Sequence, residues 1–274
     1  MEKSSSSPDK ILPIIVFPES SNPFIREAAK LATENNLCEC LLLDDSKTSQ
    51  LTEATRLLAD DQADGMVAGI DHTTRDVILA VRDQVGLLDG NETFTSLFCF
   101  NFPDKPRLIL ADGGVIKNPS AKQLADTIRL THDAAESILG QKPLIAMLSF
   151  STFSSGGNDP SIDKSLEAIS IIRQIRPDII IDGEMQLDAA VNPRVGHKKA
   201  SGSPVAGKAN VLITPDLNSG NILYKAIEQF GNAHAYGPVL LGFKKPVSDL
   251  SRGSTVDDIY GSISVVVDQI RRSK

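Results

Sequence analysis

An α/β protein whose strands are covered on both faces is the fold class this sequence predicts, from two observations. Short apolar runs alternate along the chain with amphipathic segments at helical spacing. Most of those runs are continuous Val, Ile and Leu, the pattern of parallel strands with helices on both sides. With 274 residues and 41% hydrophobic content the chain can bury a large core, as one large or two ordinary domains.

The spacing predicts strands at Ile14 to Phe17, Cys40 to Leu43, Gly65 to Val67, Ser96 to Phe100 and Leu108 to Leu110. Further strands are expected at Leu144 to Ser149, Ile179 to Ile181, Val211 to Ile213 and Val239 to Gly242. Asn22 followed by Pro23 is a cap with proline at the first helical position, opening a helix through Ala29 and Ala32. Ser120 and Gln123 have capping-box spacing ahead of Leu124, Ile128, Ala135 and Ile138, which share one face and belong to the core. Helices are also expected from Asp163 to Arg176, stopped by Pro177, and from Asn221 to Phe230, ended by Gly231.

Composition narrows the function. A net charge of −7 lacks the clustered Lys and Arg that nucleic acid requires. No apolar run approaches the roughly 20 residues that cross a bilayer, and the Ser-rich start lacks the apolar stretch of a signal peptide, so a cytoplasmic protein is expected. Cys38, Cys40 and Cys99 lie on expected strands without CxxC spacing or partnering histidines, which reads as buried thiols rather than a metal site.

In open parallel sheets ligands bind where strands end and helices begin, so chemistry is sought at those junctions. Four stand out. Met147 to Gly157 runs from a strand into a loop dense in hydroxyls and glycine, with Ser151, Thr152 and Ser155 able to offer hydroxyls and amides to phosphate oxygens; a plain surface loop fits equally well. Asp182-Gly183-Glu184 precedes a second junction, followed by Gly202 to Asn210, where Pro and Gly suggest a rigidly held chain. At the third, Thr214 to Asn221, Asn221 and Lys225 stand near a helix start, although a single lysine is more often a solvated side chain. At the fourth, Lys245 to Asp258, Ser254 or Thr255 can cap a terminal helix and leave Asp257 and Asp258 in its first turn, where carboxylates complement the dipole. Arg252, six residues before Asp258, makes the same stretch an anion clamp beside a proton acceptor.

The strings Ala63 to Gly69, Met147 to Gly156, Ser203 to Asn210, Pro215 to Lys225, Gly237 to Gly242 and Lys245 to Gly253 resemble the phosphate acetyltransferase family, in family order over about three quarters of the chain. The sister butyryltransferases share the element at Ser203 to Gly207, but Pro215 to Asn221 and Lys245 to Gly253 resemble the acetyl branch more closely. Part of some malic enzymes is also similar. The resemblance implies two α/β domains with mostly parallel sheets and a cleft between them, of the isocitrate/isopropylmalate dehydrogenase kind. They would comprise 1–104 plus 243–274, and 105–242. It further implies a homodimer with no tightly bound cofactor and no metal, using coenzyme A, acetyl phosphate and phosphate as substrates.

By position, the resemblance puts the base on Asp258 rather than Asp257, the serine and arginine of the SRG motif on Ser251 and Arg252, and the family lysine on Lys225. Three departures accompany it. The family carries several tens more residues between Asp45 and Ala63; an arginine expected at the coenzyme A side falls on Leu79; and Phe153 replaces a small residue. The implied reaction is direct attack of the coenzyme A sulfur on the carbonyl of acetyl phosphate in a ternary complex. Two other readings stand beside it: a non-catalytic acyl-CoA or phosphate sensor, and a transferase for a butyryl or propionyl chain. A dehydrogenase is disfavoured by the lack of a GxGxxG fingerprint after the first strand.

Overall fold

Ten strands make one continuous sheet among residues 12–43 and 49–273, which the computed structural model describes. In chain order the first elements are β1 (Ile14–Phe17), α1 (Pro23–Glu34), β2 (Glu39–Leu42), α2 (Gln50–Ala59), β3 (Gly65–Ala68), α3 (Thr74–Gln84), β4 (Thr95–Asn101), β5 (Leu108–Ala111) and α4 (Ala121–Leu139). There follow β6 (Ile145–Leu148), α5 (Pro160–Ile175), β7 (Ile181–Met185), α6 (Leu187–Val191), α7 (Pro193–Lys199), β8 (Val211–Ile213), α8 (Leu217–Phe230), β9 (His234–Leu241), β10 (Val247–Asp249) and α9 (Val256–Ser273).

The strand order is β2-β1-β3-β10-β9-β4-β5-β8-β6-β7. The groups β2, β1, β3, β10 and β5, β8, β6, β7 are each parallel within themselves. Between them, β9 runs antiparallel to β10 and to β4, and β4 runs antiparallel to β5, so the two parallel groups point in opposite directions. They are also offset. β10 meets β9 at Val239 and Leu240, whereas β5 meets β4 along Leu97 to Phe100. The end of β5 at Ala111 pairs with Leu97, Leu97 with Val239, and Val239 with Ser248 just before the end of β10. The carboxyl ends of both groups therefore converge on one point of the central strand pair, which is where open α/β sheets hold ligands.

Helices cover both faces, as the unbroken apolar strands require. Ile15 and Phe17 join Ile25, Ala28 and Ala32 of α1 and Ile259, Ile263 and Val266 of α9 in the largest core, which continues into α4 and α5. Val16 and Met66 point the other way, onto Leu51 and Leu58 of α2 and Val77 and Val81 of α3. On the second group, Ala146 and Leu212 pack with α6. The cap signals in the sequence operate as read. Asn22 Oδ1 accepts from the Phe24 amide at 3.0 Å, and Ser120 and Gln123 exchange bonds of 3.2 and 3.0 Å.

Several boundaries differ from expectation, each for a local reason. α5 starts at Pro160 rather than Asp163 because Asp159 caps it, accepting from Ser161 N at 2.8 Å. α8 starts at Leu217 rather than Asn221 because Asp216 accepts from Ser219 N at 2.9 Å. The strand expected at Ile179 to Ile181 lies at β7, so Asp182 and Glu184 are strand residues and not a loop. β9 reaches back to His234, and its register with β4 shifts between Leu97 and Cys99, where Gly237-Pro238 adds length to one strand. Proline in an inner strand is accommodated at such an irregularity. β10 escapes sequence pattern altogether because three residues after a proline carry no periodicity; pairing with β3 and β9 makes it a strand. Cys38 and Cys99 are buried thiols, while Cys40 is half-buried with its sulfur 3.6 Å from that of Cys38. No helix among the described residues is long and apolar enough to cross a membrane.

The α4 capping box yields a test. Ser120→Ala should lower unfolding free energy by about 1 kcal/mol, read as a shifted urea midpoint at unchanged m-value.

Candidate active site

Two adjoining cavities open where the strand ends converge. The larger, about 490 Å³, takes residues from the loop after β3 and the start of α3, from Gly113 and Gly114 after β5, and from Asn221 and Tyr224 of α8. Pro238 and the stretch Asp249 to Arg252 complete it. The smaller, about 240 Å³, is lined by Lys225, Glu228, Ser251, Gly253, Ser254 and Asp258 among others. Phe98 and Tyr224, stacked with centroids 4.0 Å apart, line both, as do Pro238 and Ser251.

Two buried carboxylates hold the loops that form the walls. Glu19, at the end of β1, accepts the amides of Gly69, Ile70, Asp71 and His72 at 2.8–3.1 Å, and His72 Nδ1 lies 2.7 Å from it. Asp112, at the end of β5, does the same for Gly114, Val115 and Ile116 at 2.6–3.1 Å and also accepts from the Ser96 hydroxyl. Each loop is thereby fixed mainly through its backbone amides by charge-assisted bonds, with the His72 side chain, which lines the cavity, also engaged by Glu19. Gly220 serves the same assembly: a Cβ there would collide with the Asp112 carbonyl, so glycine in the first turn of α8 lets that helix seat against the loop.

Arg252 and Arg75 line the larger cavity exposed, and among the described residues neither guanidinium has a hydrogen bond or ion pair. Unpaired arginines at a strand-end cleft are matched to an oxyanion, since each presents a planar pair of donors. Ser251 lies beside Arg252, and Asn221 donates to the Gly113 carbonyl at 3.2 Å. Lys225 is exposed, its ammonium 4.7 Å from the Tyr224 ring centre.

Asp258 sits in the first turn of α9. Its Oδ2 accepts from Thr255 N at 2.9 Å and Thr255 Oγ1 at 2.7 Å, and Thr255 Oγ1 accepts in return from Asp258 N at 3.3 Å. Thr255 is thus the capping residue of the two considered. Oδ1 faces His234 Nδ1 at 3.4 Å, and the side chain keeps 17% of its surface exposed toward the smaller cavity. Asp257 is exposed and belongs to a different depression, beside Phe24 and Val256.

Ser251, Arg252, Asn221, Lys225 and Asp258 are thus brought together. Ser151, Thr152 and Ser155 line neither cavity. Their hydroxyls stabilise their own loop: Ser151 Oγ accepts from Gly156 N at 2.9 Å, Ser155 Oγ from Thr152 N at 2.9 Å and Thr152 Oγ1 from Gln186 N at 3.0 Å. Sequence reasoning missed Glu19, His72, Asp112 and Asp249. Each lies within a few residues of a strand end, the signal that would have found them. Among the described residues no group of three or more His, Cys, Asp or Glu is placed to hold a metal ion.

Residues 47–267 match the family model described as phosphate acetyl/butaryl transferase. The chain belongs to that family. The phosphate acetyltransferase of Treponema pallidum is 42% identical over 224 residues, 79% of this chain and 66% of that one. The chain spans about two thirds of the length of that transferase, and 30% of some longer family members. Among solved structures it is similar to a phosphotransacetylase from Streptococcus pyogenes, with a TM-score of 0.87, 31% identity and 95% of each chain covered. A 4-hydroxythreonine-4-phosphate dehydrogenase from Klebsiella pneumoniae shares the fold, at a TM-score of 0.57 and 10% identity, covering 94% of this chain and 99% of that one. The mixed α/β dehydrogenase-like architecture expected from the family resemblance is therefore the one this family member has.

The Glu19 buttress is testable apart from any activity. Glu19→Gln replaces an ionised acceptor of several amides with a neutral one and should cost about 2–3 kcal/mol in unfolding free energy, measured by chemical denaturation.

Proposed function

We propose that this protein is a phosphate acetyltransferase that moves an acetyl group reversibly between coenzyme A and inorganic phosphate. The observation that carries the reading is the Ser251–Arg252 loop, which has the family's motif and presents an unpaired guanidinium at a cleft between the two parallel strand groups. Similarity to the Treponema phosphate acetyltransferase and the Streptococcus phosphotransacetylase supports the acetyl reaction.

In the acetyl-CoA-forming direction, Arg252, Ser251, Asn221 and Arg75 hold acetyl phosphate while the coenzyme A sulfur approaches from the side of Asp258 and Lys225. A thiol of pKa about 8.5 is mostly protonated near neutrality, so Asp258 serves as the acceptor of its proton. Negative charge growing on the carbonyl oxygen and the departing phosphate is stabilised by Arg252. No protein nucleophile is needed, so transfer is direct, in a ternary complex. The domain division at 104/105 and 242/243 belongs to the same proposal, supported by the parallel groups β2-β1-β3-β10 and β5-β8-β6-β7 falling on its two sides, with β4 and β9 exchanged across it. So does a homodimer, supported by the apolar surface α8 leaves open, with Phe230 90% and Ile222 70% exposed. A cytoplasmic setting suits three free thiols and a coenzyme A substrate.

Acetyl-CoA formation from acetyl phosphate and coenzyme A, compared with propionyl and butyryl phosphates, tests the reading directly; acetyl phosphate should be the best donor. In that assay Asp258→Asn should lower kcat by about 10²- to 10⁴-fold with KM values little changed, whereas Asp257→Asn should do far less. Equal losses would remove Asp258 from the role of base.

Coenzyme A should bind weakly. Leu79 stands where a family arginine is expected, on α3 one turn beyond Arg75, and is half-buried. A missing charged contact to a cofactor phosphate costs about 1.5–3 kcal/mol, one to two decades in affinity. Leu79→Arg should recover much of that by calorimetry; an unchanged dissociation constant would exclude the position from the coenzyme A site.

A further inference from the structure

Asp249 is the residue of the cleft that the reaction above leaves unused. It ends β10, two residues before Ser251, and lines the same cavity as Arg252, Arg75 and Asn221. It is 1% exposed, and neither carboxyl oxygen makes a hydrogen bond of good geometry among the described residues, the Thr74 hydroxyl being near enough only to bias its titration. Buried polar atoms are ordinarily paired, and an unpaired carboxylate is among the costliest groups to bury. Glu19 and Asp112, also buried, are each satisfied by several donors, and Glu184 lacks a bond at one oxygen only, so among the described residues Asp249 alone has both carboxyl oxygens buried without a hydrogen bond. The fold makes room for it deliberately: Gly69 packs against it with φ of +107°, and a Cβ at that position would collide with Asp249 Oδ1.

We propose that Asp249 is a second catalytic carboxyl group, the general acid that protonates the departing phosphate, and that it partners Asp258 across the cleft. This rests on the transferase reading above. The coenzyme A sulfur bonds to the acetyl carbonyl carbon as the bond from that carbon to the phosphate oxygen breaks. The oxygen takes the bonding pair. Acetyl phosphate as its dianion would release a phosphate trianion, a strongly basic and poor leaving group. A proton delivered from Asp249 to that oxygen lets hydrogen phosphate dianion leave instead. The thiol proton goes to Asp258, so one turnover leaves Asp249 ionised and Asp258 protonated, and exchange of one proton through solvent resets both. In the reverse direction Asp249, ionised, takes the proton from hydrogen phosphate as that oxygen attacks acetyl-CoA, and Asp258 supplies the thiol proton.

The surroundings suit an acid of this kind. Burial pushes the carboxyl up to about 6; the Thr74 hydroxyl opposes this and the Glu19 charge adds to it. The other titratable or charged groups facing the cavity are His72, Arg75, Tyr224 and Arg252. A dianionic substrate seated beside Asp249 disfavours its charged form, so its pKa in the complex lies higher still.

The test is the pH dependence of kcat in the acetyl-CoA-forming direction. Because the acid must be protonated, wild-type kcat should fall as pH rises through the pKa of Asp249 in the complex. Asp249→Asn should lower kcat by about 10²- to 10⁴-fold at pH 6 and abolish that fall. Its melting temperature should not drop, since an unpaired buried charge has been removed. Asp249→Ser, smaller and also unable to act as an acid, should show the same flat profile. A wild-type profile without the decline, or variants that keep it or stay within a few-fold of wild-type kcat, would overturn the proposal while leaving the transferase reading intact. If the wild-type protein forms no acetyl-CoA from acetyl phosphate and coenzyme A, the reading itself fails and this proposal with it.

Discussion

The antiparallel pairing of β4 with β9 is the constraint on which the remainder of the molecule depends. Two parallel strand groups that ran in the same direction would carry their carboxyl ends along one edge of the sheet. Here they run oppositely and are staggered along the two central strands, so both sets of ends arrive beside the Leu97–Val239 pair. A cleft lined from both groups follows from that register. The extra length at Gly237-Pro238 falls at the same level, and Pro238 lines both cavities. A one-residue slip there would reverse the faces of Phe98 and its neighbours and dismantle the wall shared by the two cavities.

Buried carboxylates then divide the labour. Glu19 and Asp112 spend their charge on backbone amides and hold loops still. Asp258 spends part of its charge on the cap of α9 and keeps a share of its surface on the cleft. Asp249 spends none. Residues of one chemical type thus range from wholly structural to wholly available, and the number of backbone donors within reach separates them. Glu19 is placed to accept from four amides, and Asp249 from none.

Much of this was legible in the sequence. The apolar runs marked nearly every strand because both faces are buried, and Asn22-Pro23, Ser120 with Gln123, and Gly231 punctuated helices by local chemistry that tertiary structure did not override. The family motif pointed to Ser251, Arg252, Lys225, Asn221 and Asp258, which the fold gathers around two adjoining cavities. Other features were invisible because they exist only through long-range pairing. β10 is a strand by virtue of β3 and β9, neither adjacent in sequence. Glu19 serves amides some fifty residues away. The hydroxyl loop at Ser151 could be read either way, because Ser and Gly look alike in sequence whether they bind an anion or fold upon themselves; its hydroxyls accept backbone amides. Asp249 has the ordinary appearance of a residue before a turn; its isolation is a property of depth.

The place of β10 in the sheet carries a consequence for the order in which the molecule can be assembled on the ribosome. Residues 108–213 supply the second parallel group complete, with α4 and α5 to cover it, and nothing in that set waits for a distant strand. The first group is different, because its inner strand and the helix that packs on α1 come only after residue 246. Until they emerge, β3 presents an open edge and the apolar face of α1 is covered by β1 but not by α9, a state prone to pairing with other chains. The nascent chain thus has its greatest need of chaperone protection on the segment from β1 to β3, from the time it emerges until β10 and α9 follow it.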